Sequence, residues 1–288
     1  MVKKKSILCV IVVYNPDLIV LQNNIRHLID DVTMVMLWQN SRLKDKERRE
    51  LVSIFDQSKI MFAGNGNNEG IPRALNYAVS HMNEKGYDYL LTMDQDSQWI
   101  NLSKFISCVD KNNCIYGPQI ISNTDTLERK KQDDIQYISV GYLITSGMMC
   151  YKDVLSSIGP FNEELFIDAV DEEYCYRGRK IGIKSIQVQG TYLIQQFGDS
   201  KEVSFAGKKT IAYNYSAFRY YYIVRNHIYL LRSDLPTRDE KKYIAINYVR
   251  SPIVKCLLFE NKKAKKIHAI LQGVVSGLTI IPFCLLKS

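Results

Sequence analysis

Tyr89-Leu90-Leu91-Thr92-Met93-Asp94-Gln95-Asp96-Ser97 is an apolar run that ends in two carboxylates one residue apart. Its first five residues suit a strand buried on both faces, as in a parallel sheet. Two readings of its polar end compete. Asp96 or Ser97 can cap a following helix. Alternatively, two carboxylates in a turn can reach one hard cation, Mg²⁺ or Mn²⁺, which prefers oxygen ligands and keeps open positions for phosphate.

The chain on either side places this end. Ser6 to Val13 is a β-branched apolar run broken by Tyr14-Asn15-Pro16-Asp17, and Leu18, Leu21, Ile25, Leu28 and Ile29 recur at helical spacing. Thr33 to Trp38 reads as a second strand, Lys44 to Gln57 as a charged helix, and Ile60 to Ala63 as a short strand. A Gly/Asn loop, residues 64–70, leads to a helix with Pro72 in its first turn and Gly86 at its stop. This alternation predicts an α/β protein: a Rossmann-like, mostly parallel sheet flanked by helices. In such sheets ligands lie beyond the carboxyl ends of the strands. The polar stretches at 14–17, 39–41 and 94–97 all fall there, joined by the Gly/Asn loop.

The 288 residues carry 38 Lys and Arg against 30 Asp and Glu, a formal net charge of +8. Such a balance favours anionic partners. The 46% hydrophobic content is that of a globular protein and excludes a disordered chain. Seven scattered cysteines without a CxxC pair suggest a reduced, cytoplasmic protein with no disulfide framework or zinc site. The start, MVKKKSILCVIVVYNPD, imitates a signal peptide but lacks a small-residue cleavage site, and reads as a buried first strand.

Beyond Gly117-Pro118 the pattern fades. Ser122 to Asp134 is a polar loop, and Tyr137 to Ser146 is strand-like. A second acidic cluster, Asp168, Asp171, Glu172 and Glu173, stands among Phe166, Ile167, Val170 and Tyr174. At the head of a helix these acids complement the dipole, and Arg177 or Arg179 can pair with them. A carboxylate among apolar groups can also have a raised pKa and act as a general base. Composition leaves these readings even.

The series VVYN, Asn67 to Gly70 before an ALN helix, LTMDQDS, TSG and FIDAVDEEYCYR resembles the family-2 glycosyltransferases, and more narrowly their bacterial rhamnosyltransferase-like branch. It covers about residues 6–230 in order. The resemblance implies a GT-A-type fold and inverting transfer from a nucleotide-activated sugar, with dTDP-rhamnose the donor that the branch suggests. It implies that Tyr14, Asn15, Asp17, Asn68 and Gly70 line the donor site, that Asp94 faces the nucleotide sugar, and that Asp96 binds the metal. Asp171 matches the catalytic base, while Ser146, Gly147 and Asp168 match the acceptor side.

Two positions depart from the family's pattern. The second strand ends Trp38-Gln39-Asn40-Ser41, with Gln39 where an acid is usual; it can still hydrogen-bond a base or ribose. Gln195, in Leu193-Ile194-Gln195-Gln196-Phe197-Gly198, stands where a metal-binding His is common. Arg219-Tyr220-Tyr221-Tyr222-Ile223-Val224-Arg225-Asn226 resembles the family's RxYYxxRN helix, with Arg219 and Arg225 as candidate acceptor contacts or as structural arginines in an aromatic pack. His227 reads as a polar helix residue.

Lys262, Lys263, Lys265 and Lys266 precede an apolar tail, residues 267–286, in which Gly273, Gly277 and Pro282 weaken any spanning helix. This suits peripheral contact with the inner face of a membrane, or packing on the core. The expected organisation is a transferase domain, 1–230, with a nucleotide-binding half near 1–120 and an acceptor half near 121–230, followed by a helical extension, 231–288. The expected acceptor is a glycan or a polyprenyl-diphosphate-linked sugar in capsule or O-antigen synthesis. A nucleotidyltransferase would want a Gly-rich basic loop in place of YNPD. A nucleic-acid-binding protein leaves MDQDS and FIDAVDEE unexplained, and no nucleic acid is expected.

Overall fold

The computed structural model describes residues 5–110, 112–122, 134–195, 201–205, 208–212 and 214–280. Most of the polar loop at 122–134 and the end of the LIQQFG segment lie outside them, as does the tail beyond 280. The chain divides into two compact units, 1–163 with 174–196 and 164–173 with 197–288.

The first unit opens as the periodicity predicts. The elements are β1 (Ile7–Val13), α1 (Leu18–Arg26), β2 (Met34–Gln39), α2 (Asp45–Val52), β3 (Ile60–Ala63), α3 (Ile71–Lys85) and β4 (Tyr89–Asp94). All of β1 except Val12 is buried, because it lies between β2 and β4, parallel to both. Register sets the functional edge: Val13 pairs with Gln39, Val12 with Asp94, and Trp38 with Ala63. The three polar strand ends therefore finish level. Asp17 caps α1, accepting from the Ile19 and Val20 amides at 2.9 and 3.2 Å. Pro72 sits in the first turn of α3, and Gly86 ends it in the left-handed conformation.

The rest of this unit is mixed. It comprises β5 (Gln98–Trp99), α4 (Leu102–Cys108), β6 (Cys114–Ser122), β7 (Gln136–Val140), β8 (Met148–Tyr151), α5 (Lys152–Ile158), most of α6 (Val170–Lys180) and β9 (Lys184–Gln195). The sheet runs β3-β2-β1-β4-β8-β6-β9-β5, with β7 also on β9. β8 is antiparallel to β4 and β6, while β6 and β9 are parallel. The predicted strand over 137–146 stops at Val140. The two-residue β5 pairs with β9 so that Gln98 faces Ile194, which brings the end of β9 back to the DQDS turn.

The second unit holds the first turn of α6, the hairpin β10 (Lys201–Phe205) and β11 (Lys208–Ala212), and helices α7 (Ala217–Arg232), α8 (Arg238–Ile244), α9 (Ser251–Phe259) and α10 (Lys263–Thr279), with a π-helical segment, Ala245–Arg250, between α8 and α9. Gly273 and Gly277 bring α10 against α7: a Cβ at either would come within 2.6 Å of the Tyr221 or Arg225 carbonyl oxygen. The glycines read as weakening a spanning helix are thus the packing face of this pair. Lys266 is a correction. It is buried, with Nζ donating to Glu260 and Asn214 at 2.7 Å each, so it is no part of an exposed basic stretch. No helix among the described residues is long and apolar enough to cross a membrane.

Candidate active site

In the first unit the strand-end residues are tied to one another by side chains. Gln95 receives the Tyr14 amide at 2.7 Å and returns its own amide to the Tyr14 carbonyl at 3.2 Å. The Asn15 amide, on a residue with φ 44°, donates to Ser41 Oγ at 2.6 Å. Asn40 accepts from Trp38 Nε1 at 3.0 Å and from the Glu69 amide at 3.2 Å, and donates to the Gly70 carbonyl at 3.2 Å. It fixes the Gly/Asn loop, in which Asn68 is exposed and Gly70, at φ 82°, is buried. Gln39 is buried, its Oε1 facing the Leu43 amide at 3.4 Å. Tyr14, Asn15 and Asp17 are exposed at this edge.

Asp94 is half-buried and Asp96 exposed. The Asp94 carbonyl accepts from Asn24 at 2.8 Å, and its carboxylate Oδ2 accepts from Gln195 Nε2 at 2.9 Å. The other Gln195 atom, Oε1, is buried with no hydrogen-bond partner among the described residues. Ser146 Oγ accepts from the Asp94 amide at 3.2 Å and donates to Ser97 Oγ at 2.8 Å. The hydroxyl expected on the acceptor side thus holds the acidic turn. Gly147 follows at φ 82°, where a Cβ would lie 2.9 Å from Pro118. Ser97 caps no helix, because β5 follows it, so the capping reading of this turn is set aside. Among the described residues no three His, Cys, Asp or Glu side chains form a metal-binding group.

In the second unit Phe166, Asp168 and Ala169 all adopt left-handed backbone, with φ 61–63°. This loop leads into α6, so Asp171, Glu172 and Glu173 lie in the helix's first turn. Asp171 accepts from the Glu172 amide at 3.1 Å. Burial pushes its carboxyl up to about 7; the Glu172 charge adds to the rise, and backbone amides oppose it. Asp168 pairs with Arg219 at 3.2 Å, while its other oxygen is buried without a partner among the described residues. Arg225 donates to Asn226 Oδ1 at 2.8 Å and to the Glu164 carbonyl. Arg177, in the first unit, donates to the Ile158 and Pro160 carbonyls at 2.7 and 2.8 Å.

His227 is the residue the sequence reading missed. It is buried, stacked on Tyr248 at 3.8 Å, and its Nε2 lies 2.8 Å from Glu172. Nδ1 lies 2.6 Å from the Ile223 carbonyl, which can only accept, so Nδ1 carries a proton. Burial alone would lower the imidazole's pKa; the Glu172 carboxylate outweighs it, and the net shift is upward. A His surrounded by apolar positions on a buried helix was the available signal, but its partner lies 55 residues away.

Known proteins resemble the chain in sequence and in fold. No family model matches the chain. A relative described as dTDP-rhamnosyl transferase RfbF, from Shigella flexneri, is 32% identical over 249 residues, 80% of this chain and 81% of that one. The crystal structure of GalNAc-T7 with UDP, GalNAc and Mn²⁺ superposes at TM-score 0.62 and 11% identity over 100% of this chain, which spans 58% of that one. S. aureus TarS 1-349 gives TM-score 0.54 at 12% identity, covering 93% of this chain and 81% of that one. The fold is therefore that of a GT-A glycosyltransferase. The sequence relative carries the assignment further: the chain belongs to the rhamnosyltransferase-like family-2 glycosyltransferases, enzymes that use a nucleotide-sugar donor.

Proposed function

We propose that the protein is an inverting, metal-dependent transferase that moves rhamnose from dTDP-rhamnose to a hydroxyl of a glycan or polyprenyl-diphosphate-linked acceptor in cell-surface polysaccharide synthesis. The observation that carries the reading is the Asp171 carboxyl, held half-buried at the head of α6 with its pKa raised to about 7. A base near neutrality can take a proton from an alcohol and remain ionised in part at the working pH. The donor rests on the name of the Shigella relative. The metal rests on the Mn²⁺ that accompanies UDP in the GalNAc-T7 crystal structure and on the oxygen donors here.

Those donors fit a hard cation. Gln195 Oε1 is a buried oxygen without a hydrogen-bond partner among the described residues, on a side chain already joined to Asp94. Asp94, Asp96 and Gln195 would hold Mg²⁺ or Mn²⁺, which when bound neutralises charge developing on the leaving diphosphate. Tyr14, Asn15, Asp17, Gln39, Asn68 and Gly70 would bind the nucleotide. Asp171 would deprotonate the acceptor hydroxyl as its oxygen attacks the anomeric carbon from the face opposite the nucleotide, inverting configuration. Asp168, Arg219, Arg225 and Gly147 would serve the acceptor, with Asp168 Oδ2 a ready acceptor for a sugar hydroxyl. We retain residues 1–230 as the transferase domain and 231–288 as its extension.

Thermal-shift screening with nucleotide sugars, with and without Mn²⁺, tests the donor and the metal together. Metal-dependent stabilisation by dTDP-rhamnose supports the reading; stabilisation by another donor alone replaces the sugar. The extension would meet the inner, cytoplasmic face of the membrane. Leu271, Val275 and Leu278 form an exposed stripe on α10, with exposed Lys262 and Lys265 near its start. Flotation with anionic vesicles, lost when the three apolar residues become Ser, is the expected outcome.

A further inference from the structure

We propose that Asn226 is a positioning residue of the transfer reaction: from α7 its carboxamide holds the loop 165–169 in the backbone conformation that delivers Asp168 and Asp171. The inference rests on Asp171 being the base and goes beyond it, since Asn226 is buried and its carboxamide acts on the loop backbone.

Asn226 is fully buried. Its Nδ2 donates to three carbonyls of one loop, Leu165 at 2.8 Å, Ile167 at 2.7 Å and Asp168 at 2.8 Å. Two protons shared among three acceptors make a bifurcated clamp. Its Oδ1 accepts from Arg225, whose guanidinium also donates to the Glu164 carbonyl just upstream. Both ends of the carboxamide are thus engaged with the protein. The clamped segment needs such a hold. Phe166, Asp168 and Ala169 have positive φ, and none is Gly, Asn or another residue that adopts that conformation cheaply except Asp168. Left-handed backbone at three of four successive residues persists only where its surroundings over-determine it.

The side chains of the loop supply part of that. The Phe166 ring stacks on Tyr222 at 5.0 Å and meets Phe218 edge-on at 5.9 Å. The backbone itself is addressed by Asn226. Only an amide fits: an Asp in its place would turn oxygens toward three carbonyl oxygens, and a Ser would fall short. Asp168 and Asp171 follow the clamp by zero and three residues, so its loss would disturb both the Asp168–Arg219 pair and the first turn of α6.

The test uses the full chain with N226S, N226D and, in parallel, D171N. Amide hydrogen exchange is followed at 166–172, dTDP binding by calorimetry, and transfer from dTDP-rhamnose across pH. For N226S the expected result is exchange faster by 10-fold or more at 166–170, with exchange across β1 and β4 unchanged. It should also show dTDP affinity within 2-fold of wild type, kcat lower by at least 30-fold, and a displaced acid limb of the pH profile. N226D should be more severe; if it does not fold, N226S decides alone. Wild-type exchange at 166–170 and wild-type kcat in N226S overturn the inference. So does a loss of dTDP affinity that matches the loss of rate, which would place Asn226 on the donor. If D171N retains wild-type turnover, the base assignment falls instead. If D171N is inactive while N226S behaves as wild type, only the positioning role falls.

Discussion

The two units hold acids by opposite means. In the first, Asp94 ends a strand level with its parallel neighbour β1, Asp96 follows in the turn, and hydroxyl and amide bonds from Gln95, Ser146 and Gln195 hold that turn. In the second, Asp171 starts a helix after a left-handed loop, and its surroundings are set by α7, more than fifty residues further on. Strand register suffices to aim a carboxylate outward. Keeping one partly desolvated beside other acids requires a buried counter-charge, here His227 against Glu172.

The largest expected effect breaks the second arrangement. Asp171→Asn removes the proton acceptor at nearly constant shape, so transfer should fall about 10²- to 10⁴-fold while donor binding in the first unit persists. In the wild type the ionised form dominates only above the raised pKa of about 7. The rate should therefore climb with pH through that value and level above it. A pH-independent rate between 5 and 8 would remove Asp171 from the role.

Next comes the counter-charge. His227→Phe keeps the stacking on Tyr248 but leaves Glu172 buried without its cation, at a cost of about 3 kcal/mol. The sign follows from the raised imidazole pKa. Its stabilisation is complete below the ordinary value of 6.5 and lost as pH rises through the higher folded value. Chemical denaturation should show the largest deficit below about pH 6.5, narrowing in alkali. A deficit that grows with pH would mean that the pair is neutral in the native protein.

These contrasts explain what could be read in advance. β1, β2, β4 and α3 are encoded locally, by β-branched runs, Pro72 and Gly86, and the parallel half of the sheet follows from them. The mixed half does not: β5 has two residues, and the β6–β9 ladder shifts register between Pro118 and Gln119, so neither leaves a periodic signal. That Asp171 stands at the head of a helix was legible from the acidic cluster, yet its environment was not. His227 looks like an ordinary polar helix residue, and the part Asn226 plays within the RxYYxxRN series stays hidden, until the fold brings the loop beneath them. Lys266 misled for the same reason, because its charge is matched by Glu260 six residues earlier inside a buried network.

A smaller effect tests how tightly α7, which carries both of those residues, is held. Gly277→Val would drive a side chain into the Arg225 carbonyl, which a Cβ already meets at 2.6 Å, and into Ile228. Overpacking of this kind costs about 2 kcal/mol. Thermal unfolding should fall by several degrees. Unchanged stability would show that α10 can move off α7 freely.

The smallest expected effect sharpens the first unit's side of the comparison. Gln195 offers a neutral amide oxygen to a cation and an amide proton to Asp94 at 2.9 Å. An amide oxygen is a hard, weak ligand and discriminates little between Mg²⁺ and Mn²⁺, whereas imidazole favours transition metals. Gln195→His should therefore raise Mn²⁺ affinity about 10-fold, or about 1.4 kcal/mol, and leave Mg²⁺ affinity nearly unchanged. Calorimetric titration of each metal, with dTDP present, reads this without any turnover. Equal gains for both ions would point to altered charge on Asp94 rather than to direct ligation. No change for either would take Gln195 out of the metal site and leave its bond to Asp94 as its whole role.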